Sequence, residues 1–117
     1  MPSPLQYANM NNADVISFLY PEVINFSSAG DNVIIPAVAG QRILIYRLFF
    51  IVSDITNLTF KDGLNINLTG ALPMAPYGAW ALDISNLPWF QTTTGKSFII
   101  NSSQPVQVSG AVYYQQS

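Results

Sequence analysis

Residues Arg42–Ser53 limit the possible folds more than any other stretch of this chain. The even positions carry Leu44, Tyr46, Leu48, Phe50 and Val52; the odd positions carry Ile43, Ile45, Arg47, Phe49 and Ile51. Successive side chains of a strand point to opposite sides of its sheet, so this segment is apolar on both sides. One side is expected to line a core. The other needs cover from a second layer, an arm or another subunit. The run is too short for a membrane helix and contains Arg47.

The rest of the chain is equally unlike a helical protein. Eight prolines and seven glycines divide 117 residues into short β-rich runs. That spacing of strands and turn signals predicts an all-β fold, a single jelly-roll-like β-sandwich of about eight antiparallel strands. Residues 1–21, polar and Pro-containing at their start, read as an extended N-terminal arm, and residues 22–117 as the sandwich domain. Expected strands include Val23–Phe26, Asn32–Val38, the two-faced strand, and a last one with Val106, Val108, Gly110 and Val112 on one side. Pro36 confines the second of these to an edge or a bulge.

Between Leu58 and Leu68 the alternation fixes more than strand type. Leu58 and Phe60, then Leu64, Ile66 and Leu68, are the apolar sets. A two-residue loop at Asp62-Gly63 would put these sets on opposite sides of the sheet. A three-residue turn, Lys61, Asp62 and Gly63, instead pairs Phe60 with Leu64 and Leu58 with Ile66. Gly63 supplies the left-handed residue that such a turn requires.

Composition removes most chemistry. There is no histidine and no cysteine, which excludes disulfides, Cys- or His-ligated metals, thiol nucleophiles and imidazole acid–base catalysis. Serines and Thr59 have no evident base, and no nucleophile elbow is present. The six carboxylates, Asp14, Glu22, Asp31, Asp54, Asp62 and Asp83, fall mainly at turn positions and form no calcium ladder. The expectation is a protein that is not an enzyme and has no cofactor or metal site. Four Lys+Arg, Arg42, Arg47, Lys61 and Lys96, are scattered in a chain of net charge −2, which argues against nucleic acid as a partner. No membrane segment or secretory signal is expected. Triplets at Asn25, Asn57, Asn67 and Asn101 match the glycosylation pattern, a weak signal in a chain this rich in Asn, Ser and Thr.

Two features point to interaction instead. Only 9% of the residues are charged, against 50% hydrophobic, which is little charge for the surface of a monomer. Arg47 lies mid-strand on an apolar side, where an unpaired cation is costly; Asp54, Asp83 or a carboxylate of another subunit is its expected partner. Symmetric self-association would cover the odd side, with Arg47, Phe49 and Ile51 as the oligomer interface. Tyr77, Trp80, Trp89, Phe90, Tyr113 and Tyr114 could stack sugar rings or serve as core and interface anchors, and Trp80, Trp89 and Phe90 admit a rival reading, a carbohydrate-binding or receptor-binding β module.

Three segments carry a resemblance: GQRILIYRLFFIVSDITNLTFKDG, LTGALPMAPYGAWALD and WFQTTTGKSFIINSSQPVQVSGAVYY. The order is a long apolar strand, a Thr-Phe-Lys-Asp-Gly hairpin, a Pro/Gly loop, a Trp-Phe before a Gly turn, and a final Val-x-Val-x-Gly strand. Over residues 40–114 it resembles the small jelly-roll capsid decoration (cement) proteins of tailed bacteriophages. The resemblance implies a homotrimer on the outer capsid surface of the virion, braced against the major capsid protein, with no catalytic residues. In that setting Leu5, Tyr7 and Met10 of the arm are the expected capsid contacts, held by apolar burial.

Overall fold

The computed structural model describes residues 19–117. The expected capsid contacts Leu5, Tyr7 and Met10, and most of the expected arm, lie outside the described residues. No helix occurs among the described residues. Ten strands follow one another: β1 (Tyr20–Phe26), β2 (Gly30–Ile35), β3 (Ile43–Val52), β4 (Thr56–Asp62), β5 (Ile66–Asn67), β6 (Leu72–Met74), β7 (Ala79–Leu82), β8 (Phe90–Gln91), β9 (Phe98–Ser102) and β10 (Val108–Gln116). The count exceeds eight because β5, β6 and β8 are pieces of only two or three residues.

The strands form two antiparallel sheets, packed face to face as a β-sandwich. The first runs β1-β10-β3-β7, with β8 also pairing β3; the second runs β2-β9-β4-β5, with β6 also pairing β4. β2 is therefore an edge strand that ends just before Pro36, as proline's missing N–H requires. The sandwich starts earlier than Glu22. Tyr20 and Pro21 already belong to β1, opposite Tyr114 and Tyr113.

The core between the sheets is made by Ile24, Ile35, Leu58, Phe60, Phe98, Ile100, Val108 and Val112, together with inward side chains of β3. Phe60 is its centre, with the rings of Trp80, Phe90 and Phe98 at 5.9, 5.4 and 6.0 Å from its own. Every buried side-chain polar atom among the described residues has a hydrogen-bond partner. Thr92, for example, accepts from the Ile43 N–H at 2.9 Å, and the Thr56 and Ser102 hydroxyls meet at 2.7 Å.

The two-faced strand does not present one whole side to the core. Arg47 pairs with Tyr113 and Ile45 with Tyr114, so Tyr46 is an extra residue, a β-bulge. The bulge inverts the parity of β3. Before it the odd residues Ile43 and Ile45 are buried; after it the even residues Leu48, Phe50 and Val52 are. Only Arg47, Phe49 and Ile51 remain of the odd side expected to meet another subunit.

The hairpin turn also differs from expectation. Lys61 and Asp62 are strand residues, paired with Asn67 and Ile66, and the turn is Gly63-Leu64-Asn65. A three-residue loop that keeps the apolar sets on one side is retained, moved two residues along the chain. The cause is Asp62, which is buried and accepts from the backbone N–H and the hydroxyl of Thr93 at 3.0 and 2.6 Å. Those bonds hold it in β4 beside the 92–96 turn. Gly63, at φ +66, then opens the turn. Leu64 and Ile66 are left exposed instead of joining the core.

Candidate functional site

The outward side of the first sheet collects the surplus apolar residues. Strand register places them in rows: Asn25, Ser109, Ile51 and Ala79 in one, Val23, Ala111, Phe49 and Ala81 in the next, and Pro21, Tyr113 and Arg47 in a third. Strands about 4.8 Å apart make each four-strand row roughly 14 Å wide. Val23, Phe49 and Ile51 are 68%, 37% and 45% exposed. Large apolar side chains clustered on one flat sheet face mark an interaction surface, whereas scattered ones do not.

Small residues give this face relief. Ala79 and Ala81 of β7 stand beside Phe49 and Ile51 of β3, and with Ser109 they leave a groove of about 380 Å³. The groove continues past Phe49 toward Arg47 and Asp83. In the other direction it passes Ile51 to a cleft of about 250 Å³ bordered by Ser53, Gln107, Ser109 and Tyr77.

Arg47 closes one end. Its guanidinium carbon lies 5.6 Å from the Phe49 ring centroid and 5.3 Å from that of Tyr113. Asp83 is its carboxylate neighbour, with Nε to Oδ1 at 3.9 Å. The two side chains are 46% and 88% exposed, so the ion pair itself contributes well under 1 kcal/mol. The rings hold the charge in place more than the carboxylate does.

Tyr77 closes the other end. It is the one non-glycine residue with positive φ among the described residues, at φ 60, and it is 74% exposed. The Gly78 N–H donates to the Ala75 carbonyl at 2.9 Å, which makes Ala75-Pro76-Tyr77-Gly78 a β-turn. Proline second and a left-handed residue third is the pattern of a type II turn, whose third position favours glycine. Tyrosine there costs about 1–2 kcal/mol of backbone strain.

Of the aromatics that suggested sugar binding, Trp80 packs on Phe50 and Phe60, and Phe90 on Phe60. Trp89 is half exposed, but its indole N–H donates to the Asp83 carbonyl at 2.7 Å. They form no shared platform. The carboxylates are equally dispersed. Asp54 and Asp83 each accept from the N–H of the next residue, Ile55 and Ile84. Asp31 accepts from Asn101 at 2.7 Å and from Lys61 at 3.1 Å. The Asn101 hydrogen bond, aided by Lys61, holds its carboxyl below the usual 3.8 against an opposing desolvation. Burial, with Glu22 and Tyr20 nearby, raises the Tyr114 hydroxyl. Among the described residues no three metal-ligating side chains gather.

Sequence reading found Arg47, Phe49 and Ile51, and singled out Tyr77 among the aromatics, but missed Val23 and the flanking alanines. Val23 and the alanines become legible only once register sets them side by side. Tyr77 had a local signal, the Pro76-Tyr77-Gly78 turn. Compared with known protein families, curated proteins and solved structures, the chain matches none of them.

Proposed function

We propose that this protein is a structural subunit that assembles with copies of itself through the outer face of the first sheet, as a homotrimeric decoration protein on the outer surface of a phage capsid. The exposed apolar rows centred on Phe49 and Ile51 carry this reading. They supply the aromatic and aliphatic anchors that dominate association energies. Arg47, held between two rings, adds a fixed cation with an exposed carboxylate, Asp83, close by. An interface between copies can then set the cation of one copy against the carboxylate of the next.

The strand order supports a jelly-roll wrapping. First and last strands lie side by side in β1-β10-β3-β7, facing β2-β9-β4-β5. The resemblance of residues 40–114 to phage cement proteins supplies the major capsid protein as the second partner. The alternative, a carbohydrate-binding or receptor-binding β module of a phage tail or fibre, has less support, because Trp80 and Phe90 pack against the core and of the three only Trp89 is half exposed.

The test has two parts. Sedimentation of the purified chain at micromolar concentration is expected to give a trimer. Incubation with phage heads lacking the protein, followed by gradient recovery, is expected to return it bound to intact heads. A trimer that never associates with heads would leave self-assembly standing and remove the capsid role.

A further inference from the structure

We infer that Lys61 is a strap that keeps the edge strand β2 closed against β9, its stem lying across β9 and its ammonium anchored on Asp31. The device belongs to the second sheet and does not depend on the self-assembly proposed for the first. The first observation is a span. Register sets Val33, Ile99 and Lys61 in one row on the outer side of the second sheet, and Asp31, Asn101 and Thr59 in the next. Lys61 belongs to β4 and Asp31 to β2, with β9 between them. The Lys61 Nζ nevertheless lies 3.1 Å from both Asp31 oxygens. Strands about 4.8 Å apart put the backbones of β4 and β2 roughly 10 Å from each other. The lysine reaches Asp31 only by crossing β9.

The second observation is the burial beneath that crossing. Phe98 and Ile100 belong to the core, so Ile99 points outward, yet it has no exposed surface and lies outside the core cluster. Its row neighbour Lys61 has a side chain only 13% exposed, low for a lysine on the outer side of a sandwich. A methylene stem laid over apolar surface, with its ammonium carried on to a partner, accounts for both values. The third is the anchor. Asn101 of β9 donates to Asp31 Oδ1 at 2.7 Å, so the carboxylate is held from the strand that the stem crosses.

Closure matters because of what β2 shields. Phe98, Ile99 and Ile100 are all fully buried, which makes β9 apolar on both sides. Detachment of β2 would turn β9 into a bare edge of that composition, a template for pairing with another chain. Sheets open locally at a smaller free-energy cost than global unfolding. The strap opposes such opening by tying the edge to β4, two strands away, as well as to its neighbour.

Amide hydrogen exchange of the full chain, followed strand by strand at neutral pH, compares wild type with Lys61→Ala and Lys61→Met. Circular dichroism shows that each variant is folded. Lys61→Ala removes stem and charge; it should speed exchange at the amides joining β2 to β9 about tenfold or more, with β3 and β10 unchanged. Lys61→Met keeps an apolar stem without the anchor and should fall between Lys61→Ala and wild type. Wild-type exchange in β2 by either variant overturns the inference, and so does an equal acceleration in both sheets. A Lys61→Met variant as fast as Lys61→Ala also overturns it, because the stem would then cover nothing.

Discussion

Asp62 receives both the backbone N–H and the side-chain hydroxyl of Thr93, tying the end of β4 to the turn that leads into β9. Hydrogen bonds to a charged group contribute about 1.5–3 kcal/mol each, and both of these join segments 31 residues apart. Asp62→Ala should therefore destabilise the fold by about 2–4 kcal/mol, read as a lower urea midpoint at unchanged slope. A variant with the wild-type midpoint would show that the 92–96 turn holds itself.

Gly63 follows at φ +66, with the Lys96 side chain 3.3 Å from where a Cβ would stand. Gly63→Val puts a β-branched residue into the left-handed region and should cost about 1–2 kcal/mol or more. Thermal denaturation checks it.

The outward face depends on a glycine that points inward. A methyl carbon on Gly110 of β10 would run into the Phe49 carbonyl and stand 2.7 Å from the Phe50 Cα, and both are backbone atoms that cannot swing aside. Gly110→Ala should force β10 away from β3 and cost roughly 3 kcal/mol or more. Amide exchange in β3 and β10 should accelerate first, because their pairing is what separates.

Asp31 provides the pH dependence. Its folded carboxyl titrates below its ordinary value of 3.8, chiefly through Asn101 and secondarily through Lys61. A carboxyl depressed by folding stabilises the native state while ionised, so its contribution is complete above 3.8. It is lost as pH falls below 3.8 toward the folded value. Acid titration of stability should show this loss, and Asp31→Asn should flatten the slope in that window. An unchanged slope would contradict the assignment.

How much of the fold was legible in the sequence follows from what alternation can encode. Period-two patterns identified β3, β4 and β10 and the three residues of the outer face, because side-chain direction is local. A bulge breaks that rule without a distinctive residue: nothing about Tyr46 announces the extra position that sends Ile43 and Ile45 inward. At the hairpin, parity led to the right loop length in the wrong place. Asp62-Gly63 has the composition of a turn, but its carboxylate is engaged by Thr93, a residue 31 positions away. Tyr77 stood out as an aromatic but its strain did not, because strain is a property of backbone angles and tyrosine is not the residue expected in them.

The central claim is that the Phe49–Ile51 face joins copies of this chain. Sedimentation equilibrium of wild type and Phe49→Asp at micromolar concentration tests it most directly, since Phe49 is partly exposed and lies outside the core cluster. The account predicts a trimer for the wild type and a folded monomer for Phe49→Asp. A wild-type monomer, or a Phe49→Asp variant that remains trimeric, would contradict it.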